Sequence, residues 1–146
     1  SRSVTCASKA YLERCGQPET PADLNKHIGL QYSNITYTQH WKFQDSDGKT
    51  LQGQPQIRMR SNNGEVLAEA AVSGLGITSA PTFILAKYIR SGDLIPVLQG
   101  FEKRPVGIYA VFPPGRLTPR RVKTFADHLD SCFSEAPYQE RYQDEY

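Results

Sequence analysis

Residues 58–81 read RMRSNNGEVLAEAAVSGLGITSAP and determine the expected fold. This stretch predicts a strand, a capped helix, a glycine turn and a second strand that is buried. Ile57 and Met59 alternate with polar neighbours, which is typical of a strand with one covered face. Asn62 is followed three residues later by Glu65, as in a capping box, where each side chain satisfies a backbone N–H at the start of a helix.

The predicted helix has apolar residues at helical spacing. They are Val66, Leu67, Ala70 and Ala71. Gly74 and Gly76 are expected to end the helix, and Pro81 ends the strand that follows. A helix start that is rich in hydroxyl, amide and unpaired N–H groups can also hold a small anion. Two interpretations of these residues are therefore open: an ordinary capped αβ unit, or an anion site at the helix start.

The chain has 146 residues, which is enough for one domain or two small lobes with a real core. Its net charge of +2 does not indicate a protein held on nucleic acid by bulk charge. No apolar run is long enough to span a bilayer, and the first residues lack the apolar core of a signal peptide, so no membrane partner is predicted. Three cysteines without a C-x-x-C pair favour free thiols in a reducing cytosol, and hence a cytoplasmic location.

Strand and helix patterns alternate along the rest of the chain, which predicts an α/β fold. The expected elements are strands at 4–7, 28–32, 94–98 and 106–112, a hairpin around Asp47-Gly48, and helices at 9–15, 21–24 and 82–90. In the helix at 82–90, Phe83, Ala86 and Ile89 are expected to face inward.

The last predicted helix is the clearest one and begins at Thr118-Pro119. Its apolar stripe comprises Val122, Phe125, Ala126, Leu129 and Phe133. The stripe needs a sheet to lie on, yet only one strong strand pattern, Val106–Phe112, directly precedes it. Residues 33–39 are expected to form a loop, and residues 134–146 a polar tail.

Seven motifs, in their order and spacing, resemble the C-terminal effector-binding domain of LysR-type transcriptional regulators. They are Ala7–Leu12 with Gly16, Pro21–His27, Trp41–Phe43, Ser61–Gly64, Gly74–Ile77 with Pro81, Gly92–Leu98 and Gly107–Pro113. The resemblance covers almost the whole chain before the predicted tail.

The resemblance implies an α/β fold of two Rossmann-like lobes of the type-2 periplasmic-binding-protein kind, with lobe one incomplete in this chain. Residues 1–92 would be lobe two with both crossover strands, 93–133 the returning part of lobe one, and 134–146 a polar tail. The apolar faces of residues 106–112 and of the last helix would then be covered by the rest of lobe one or by another copy of the chain.

The resemblance also implies a function. A small-molecule effector, such as a carboxylate or another anion, would bind in the cleft between the lobes of a homodimer or tetramer. DNA would be contacted only through an N-terminal winged helix-turn-helix that is absent here. A solute-binding protein of a transporter shares the fold and is the alternative. No enzyme is predicted, because no motif groups a nucleophile, a base and an orienting group, and no cofactor is implied.

Three residues correspond to the family position where the helix start of lobe two points into the cleft: Ser61, Asn62 and Asn63. Their hydroxyl, amide and backbone N–H groups can bind a carboxylate, although plain helix capping explains the same residues. Further candidates for effector binding lie at the ends of the crossover strands. They are Ala7, Ser8, Pro81 and Thr82.

The cysteines and histidines are expected to be structural. The cysteines are predicted to pack against apolar residues rather than to react; they are Cys6, Cys15 and Cys132. His27, His40 and His128 show no ligand-like spacing with cysteine or acidic residues, so no metal site is predicted.

Overall fold

The computed structural model describes residues 2–34, 41–101, 107, 109–112 and 119–134. The chain forms two compact units, Ser1–Val106 and Gly107–Tyr146. The strands are β1 (Ser3–Ala7), β2 (Ile28–Tyr32), β3 (Trp41–Gln44), β4 (Thr50–Gly53), β5 (Gln56–Ser61), β6 (Ile77–Pro81) and β7 (Ile95–Val97). The helices are α1 (Lys9–Cys15), a short 3-10 helix (Pro21–Lys26), α2 (Gly64–Val72), α3 (Thr82–Arg90) and α4 (Arg120–Ser134). Among these described helices, none has the length and apolar character needed to cross a membrane.

Five strands of the first unit form one sheet in the order β5-β2-β6-β1-β7. β2 runs parallel to both β5 and β6, whereas β1 is antiparallel to β6 and to β7. The parallel strands end together, so Tyr32, Ser61 and Pro81 lie at one edge of the sheet, which we name the carboxyl edge. The opposite edge, where the parallel strands begin, is the amino edge. The predicted α/β fold class is confirmed.

The sheet has an apolar layer on each face. One face packs against α2 and α3, and its core residues are Cys6, Leu30, Leu67, Ala68, Ala71, Ala80, Leu85, Tyr88 and Leu94. The other face packs against α1, the 3-10 helix and the β3–β4 hairpin, and its core residues are Ala7, Tyr11, Leu24, Trp41, Phe43, Ile77, Val97 and Leu98. A sheet covered on both faces explains why β2 and β6 read as short apolar runs.

Several predicted elements have the expected bounds, because local signals decide them. β2, α1 and α3 begin and end at the predicted residues. The predicted hairpin forms, with β3 antiparallel to β4 around an Asp-Gly turn. Gly74 follows α2 with a φ of 76°, a left-handed conformation that glycine adopts without the clash of a Cβ. β7 contains Pro96 and lies at the edge of the sheet, where a residue without an N–H is tolerated.

The start and the buried face of α2 differ from the prediction. The N-cap is Asn63 rather than Asn62, and its side-chain oxygen accepts the backbone N–H of Glu65 at 2.9 Å. The buried residues of the helix are Leu67, Ala68 and Ala71. Val66 belongs to the apolar repeat seen in the sequence, but it is 42% exposed.

The buried face of α3 also differs from the prediction. Phe83 is 55% exposed, so its inward placement is wrong, whereas Ala86 is buried and Ile89 packs against the core as predicted. Leu85 and Tyr88 supply the large buried side chains instead. The order of apolar residues alone did not fix the rotation of this nine-residue helix about its axis.

The second unit does not contain the buried strand predicted at Val106–Phe112. Gly107 and residues 109–112 are not in a strand, and Tyr109 and Val111 are 83% and 90% exposed. The prediction is therefore wrong for these residues; Val106 and Ile108 lie outside the described ones. A buried strand requires neighbouring strands for its backbone hydrogen bonds, and the described part of this unit contains none.

The predicted terminal helix forms as α4, and its apolar stripe is largely uncovered. Val122 is 39% exposed and Phe125 61% exposed. The side chain of Phe133, loop residues 35–39 and residues 135–146 of the predicted tail lie outside the described residues, so those predictions stay open. Ser33 and Asn34 form a turn.

The packing prediction for the cysteines is right for one of the three. Cys6 is fully buried on the α2–α3 face of the sheet. Cys15 and Cys132 are exposed free thiols, so the prediction that they pack is wrong for both. Each lies close to the C-terminal end of its helix.

Candidate functional site

The carboxyl edge of the sheet brings two helix starts together. Ser61 ends β5 and leads into α2, while Pro81 ends β6 and leads directly into α3. Only β2 separates β5 from β6, so these two strand ends are about 10 Å apart at the usual spacing of neighbouring strands. The first turns of the two helices touch, because a Cβ on Gly64 would lie 2.7 Å from Cδ1 of Ile84. Backbone N–H groups of both helices therefore face the same edge.

At the start of α2, side-chain oxygen atoms accept hydrogen bonds from the backbone, while the hydrogen-bond donors of the same side chains stay available. Oγ of Ser61 accepts the backbone N–H of Asn63 at 3.0 Å, and Oδ1 of Asn63 accepts the N–H of Glu65 at 2.9 Å. The Ser61 hydroxyl hydrogen and the Asn63 NH₂ group can still donate. Asn62 is exposed between them and carries a further amide. Such a set of donors suits an anion or a carbonyl oxygen.

The start of α3 adds Pro81 and Thr82 to the same edge. Pro81 is the N-cap of α3 and pairs with Ser3 at the start of β1. The backbone N–H of Thr82 donates to the carbonyl oxygen of Arg2 at 2.9 Å, and Thr82 is buried. The structure thus brings Ser61, Asn62 and Asn63 together with both of these residues, at the place where open α/β sheets commonly bind ligands.

A charge pair lies next to this edge. Nζ of Lys87 is 3.2 Å from Oε1 of Glu65, and both side chains are largely exposed. The hydrogen bond to Glu65 raises the pKa of Lys87, so the amine is protonated at neutral pH. The pair adds little to stability in water. It does neutralise the acidic side chain in the first turn of α2, so an anion at the helix start does not meet an uncompensated carboxylate.

The structure does not bring Ala7 and Ser8 to the carboxyl edge. β1 is antiparallel to β6, with Cys6 opposite Thr78, so the end of β1 lies beside the beginning of β6. Ala7 and Ser8 are therefore at the amino edge, about 13 Å or more along the strand from Ser3. Both are buried, and Oγ of Ser8 has no hydrogen-bond partner in the described part of the chain. The sequence prediction grouped the end of β1 with the end of β6, but the two strands are antiparallel, so their ends lie at opposite edges.

A row of polar residues crosses the sheet one or two positions before the carboxyl edge, and no sequence motif predicted it. Thr5 pairs with Ser79, and Gln31 pairs with Arg60. Gln31 follows Leu30, the partner of Thr78, so it is the neighbour of Ser79 across β2 and β6. The four side chains thus cross β1, β6, β2 and β5 in one row, on the face opposite α2 and α3. The signal in the sequence was a single glutamine within the apolar strand 28–32.

Gln31 is the unusual member of this row. It is only 7% exposed, and its Oε1 is buried without a hydrogen-bond partner among the described residues. Thr5 donates its hydroxyl hydrogen to Oγ of Ser79 at 3.3 Å, so that pair is satisfied. A buried carbonyl oxygen without a donor costs free energy, and such a group needs an explanation. A bound ligand or water molecule that donates a hydrogen bond to Oε1 of Gln31 would provide that explanation.

The fold and the sequence define the class of the chain. The family model for the LysR substrate binding domain matches residues 1–133, so the chain belongs to the LysR substrate-binding domain family. An uncharacterized HTH-type transcriptional regulator of Haemophilus influenzae is 36% identical over 116 residues, which are 80% of this chain and 40% of that protein. The HTH-type transcriptional activator AaeR of Escherichia coli is 30% identical over 132 residues, 90% of this chain and 42% of AaeR. The chain spans about two fifths of the length of these relatives.

Solved structures support the same class. The regulatory domain of the C227S variant of AphB from Vibrio vulnificus matches with a TM-score of 0.75 and 26% identity, over 89% of this chain and 68% of that one. Full-length AphB, a LysR-type virulence activator of Vibrio cholerae, matches with a TM-score of 0.62 and 27% identity, over 69% of this chain and 34% of that one. The fold is accordingly that of LysR-type regulatory domains, which resembles type-2 periplasmic binding proteins.

Proposed function

We propose that this chain is the effector-sensing and oligomerisation domain of a LysR-type, DNA-binding transcriptional regulator. Family membership supports the assignment, and the relatives are named as transcriptional regulators, which favours a regulator over a transporter's solute-binding protein. The proposal includes a cytoplasmic protein that forms a homodimer or tetramer and contacts DNA only through a separate N-terminal head. It includes no catalytic step.

The observation that carries the proposed ligand site is the set of hydrogen-bond donors at the carboxyl edge. Ser61, Asn62 and Asn63 offer a hydroxyl and two amide groups beside the start of α2, and the start of α3 is adjacent. A small carboxylate or another anion would accept these donors. Pro81 and Thr82 are proposed to border the ligand. Ala7 and Ser8 are not included, because they lie at the other edge of the sheet.

The polar row narrows the proposed class of effector. Gln31 provides a buried acceptor without a partner among the described residues, and Arg60 provides an exposed cation in the same row. A carboxylate that also carries a hydroxyl or an ammonium group would satisfy both the donors at the edge and the Gln31 acceptor. We therefore propose a small hydroxy- or amino-carboxylate as the effector.

The proposed mechanism is a shift between two arrangements of the lobes. An effector that binds one arrangement more tightly raises its population by the ratio of the two affinities. The oligomer would transmit this shift to the DNA-binding heads. Residues 1–92 are proposed as lobe two, 93–133 as the returning part of lobe one, and 134–146 as a polar tail.

A thermal-shift screen of small carboxylates tests the proposed site. The 146-residue chain is compared with Asn62→Ala and with Gln52→Ala, which removes an exposed amide from the β3–β4 hairpin as the matched control. We expect at least one compound to raise the melting temperature of the parent chain and of the Gln52→Ala variant, but much less that of Asn62→Ala. Equal stabilisation of all three proteins would remove Asn62 from the site. Absence of any stabilising carboxylate would contradict the proposed effector class.

A further inference from the structure

Helix α4 carries a histidine and a cysteine one helical turn apart. Nε2 of His128 lies 3.6 Å from Sγ of Cys132, and both residues are exposed. Cys132 is a free thiol. We propose that His128 and Cys132 form a two-ligand binding site for Zn²⁺. This proposal does not depend on the proposed effector site, since it concerns another compact unit of the chain.

The distance between the two side chains fits a shared zinc ion. Zinc binds thiolate sulfur at about 2.3 Å and imidazole nitrogen at about 2.0–2.1 Å with tetrahedral angles, which separates the sulfur from the nitrogen by about 3.6 Å. Sγ and Nε2 are at that separation here. Residues four apart on a helix present both ligands on one side, the same arrangement that the two histidines of zinc-protease helices use.

The chemistry of the pair selects a borderline or soft cation. Thiolate and imidazole together favour zinc over magnesium or calcium, which prefer oxygen ligands. Binding would release the thiol proton of Cys132 to solvent and use the neutral imidazole of His128. No group of three or more ligand side chains lies together within the described residues. In the proposed two-ligand site, water would complete the tetrahedron. The site would therefore be open rather than a closed structural one.

The site stays accessible even where the apolar face of α4 is covered. Successive helical residues turn by about 100°, so His128 lies about 110° around the helix from the centre of the apolar stripe, and Cys132 about 70°. The stripe residues used for this centre are Val122, Phe125, Ala126 and Leu129. If another surface covers the apolar stripe, the side of α4 that carries His128 is still open to solvent.

A hydrogen bond between the thiol and the imidazole explains the same distance without a metal, so the experiment must distinguish the two. Co²⁺ replaces Zn²⁺ in such sites and gives thiolate-to-metal charge-transfer absorption only when a cysteine sulfur is a ligand. We expect the 146-residue chain to show this absorption on titration with Co²⁺, and Zn²⁺ to abolish it by displacement. A chain that shows no such absorption would overturn the proposal.

Three variants assign the ligands. Cys132→Ser should abolish the absorption, and His128→Gln should weaken Zn²⁺ binding, measured by competition, by at least about tenfold. Cys15→Ser is the matched control, because Cys15 is also an exposed helical thiol, and it should change neither result. All three positions are exposed, and circular dichroism checks that each variant folds. Absorption that survives in Cys132→Ser, or unchanged affinity in His128→Gln, would contradict the assignment.

Discussion

The hydroxyl oxygen of Tyr11 lies 3.2 Å from Nδ1 of His27, and both side chains are buried. The same hydroxyl oxygen accepts the backbone N–H of Ile28 at 2.9 Å. One side chain of α1 therefore holds the residue before β2 and the first N–H of that strand. This contact joins α1 to the central strand of the parallel part of the sheet, at the amino edge and away from the candidate site.

The buried imidazole of His27 makes stability depend on pH. Burial lowers the pKa of His27; Asp23 opposes this by raising the pKa, and Lys26 lowers it further. The groups that face the ring are thus these two from the 3-10 helix and Tyr11 from α1. Since the folded-state pKa lies below the unfolded value of about 6.5, the unfolded chain binds more protons in mild acid. The contribution of His27 is present above that value and is lost as the pH falls towards the folded-state pKa.

Urea unfolding of the first unit at about pH 7.5 and about pH 5.5 measures this dependence. We expect a lower free energy of unfolding at the acidic pH, and a smaller difference between the two values in His27→Gln. The same pH difference in the variant as in the parent chain would show that other groups cause the dependence.

Removal of the Tyr11 hydroxyl should destabilise the chain measurably. In Tyr11→Phe the N–H of Ile28 and the imidazole of His27 both lose a buried partner, which costs about 1–3 kcal/mol of unfolding free energy. Tyr88→Phe is the control: its hydroxyl donates to Oε1 of Glu69 at 2.6 Å, but that carboxylate is exposed and water can replace the bond. We expect a loss of about 1 kcal/mol or less there. Equal losses in denaturant titrations would contradict the structural role given to Tyr11.

The three cysteines should differ sharply in reactivity. Burial raises the pKa of the Cys6 thiol to about 12, so almost no thiolate forms at neutral pH. Cys15 and Cys132 are exposed, and we expect a thiol reagent to modify them rapidly in the folded chain. The thiol reagent should modify Cys6 only when urea has been added and has unfolded the sheet. Mass spectrometry of the native chain should therefore find two modified thiols, and early labelling of Cys6 would contradict its burial.

Local signals in the sequence predicted more of the fold than of the candidate site. Caps, glycine turns and apolar runs gave β2, α1 and α3 their correct bounds, because each element is decided by neighbouring residues. The rotation of α3, which exposes Phe83, depends on contacts with the sheet that no single helix encodes. The strand predicted at Val106–Phe112 failed for a related reason, since a buried strand needs partners that the described residues do not supply.

The candidate site was predicted in part, because its residues come from separate strands. Ser61, Asn62 and Asn63 are contiguous, so a sequence motif was enough to select them, although the cap moved by one residue to Asn63. Ala7 was selected as a strand end, but the sequence does not show which edge of the sheet that end reaches, because strand direction is set by pairing. Gln31 is not marked by any motif, because its burial depends on the two strands beside β2, which are β5 and β6.

The last prediction concerns Gln31, where stability and the proposed function should oppose each other. Its buried Oε1 has no partner within the described chain, so Gln31→Met, which keeps the size and removes the polar groups, should raise the free energy of unfolding by about 1–3 kcal/mol. The variant should also lose most of the melting-temperature shift that a stabilising carboxylate causes in the parent chain.

Gln52→Met in the exposed hairpin is the control, and it should change neither the free energy of unfolding nor the melting-temperature shift by much. A side chain that costs stability but binds the effector would be a case of the trade-off between stability and function. If Gln31→Met is less stable than the parent chain, the glutamine oxygen is satisfied in the folded state, and its role as an acceptor for the effector has no support.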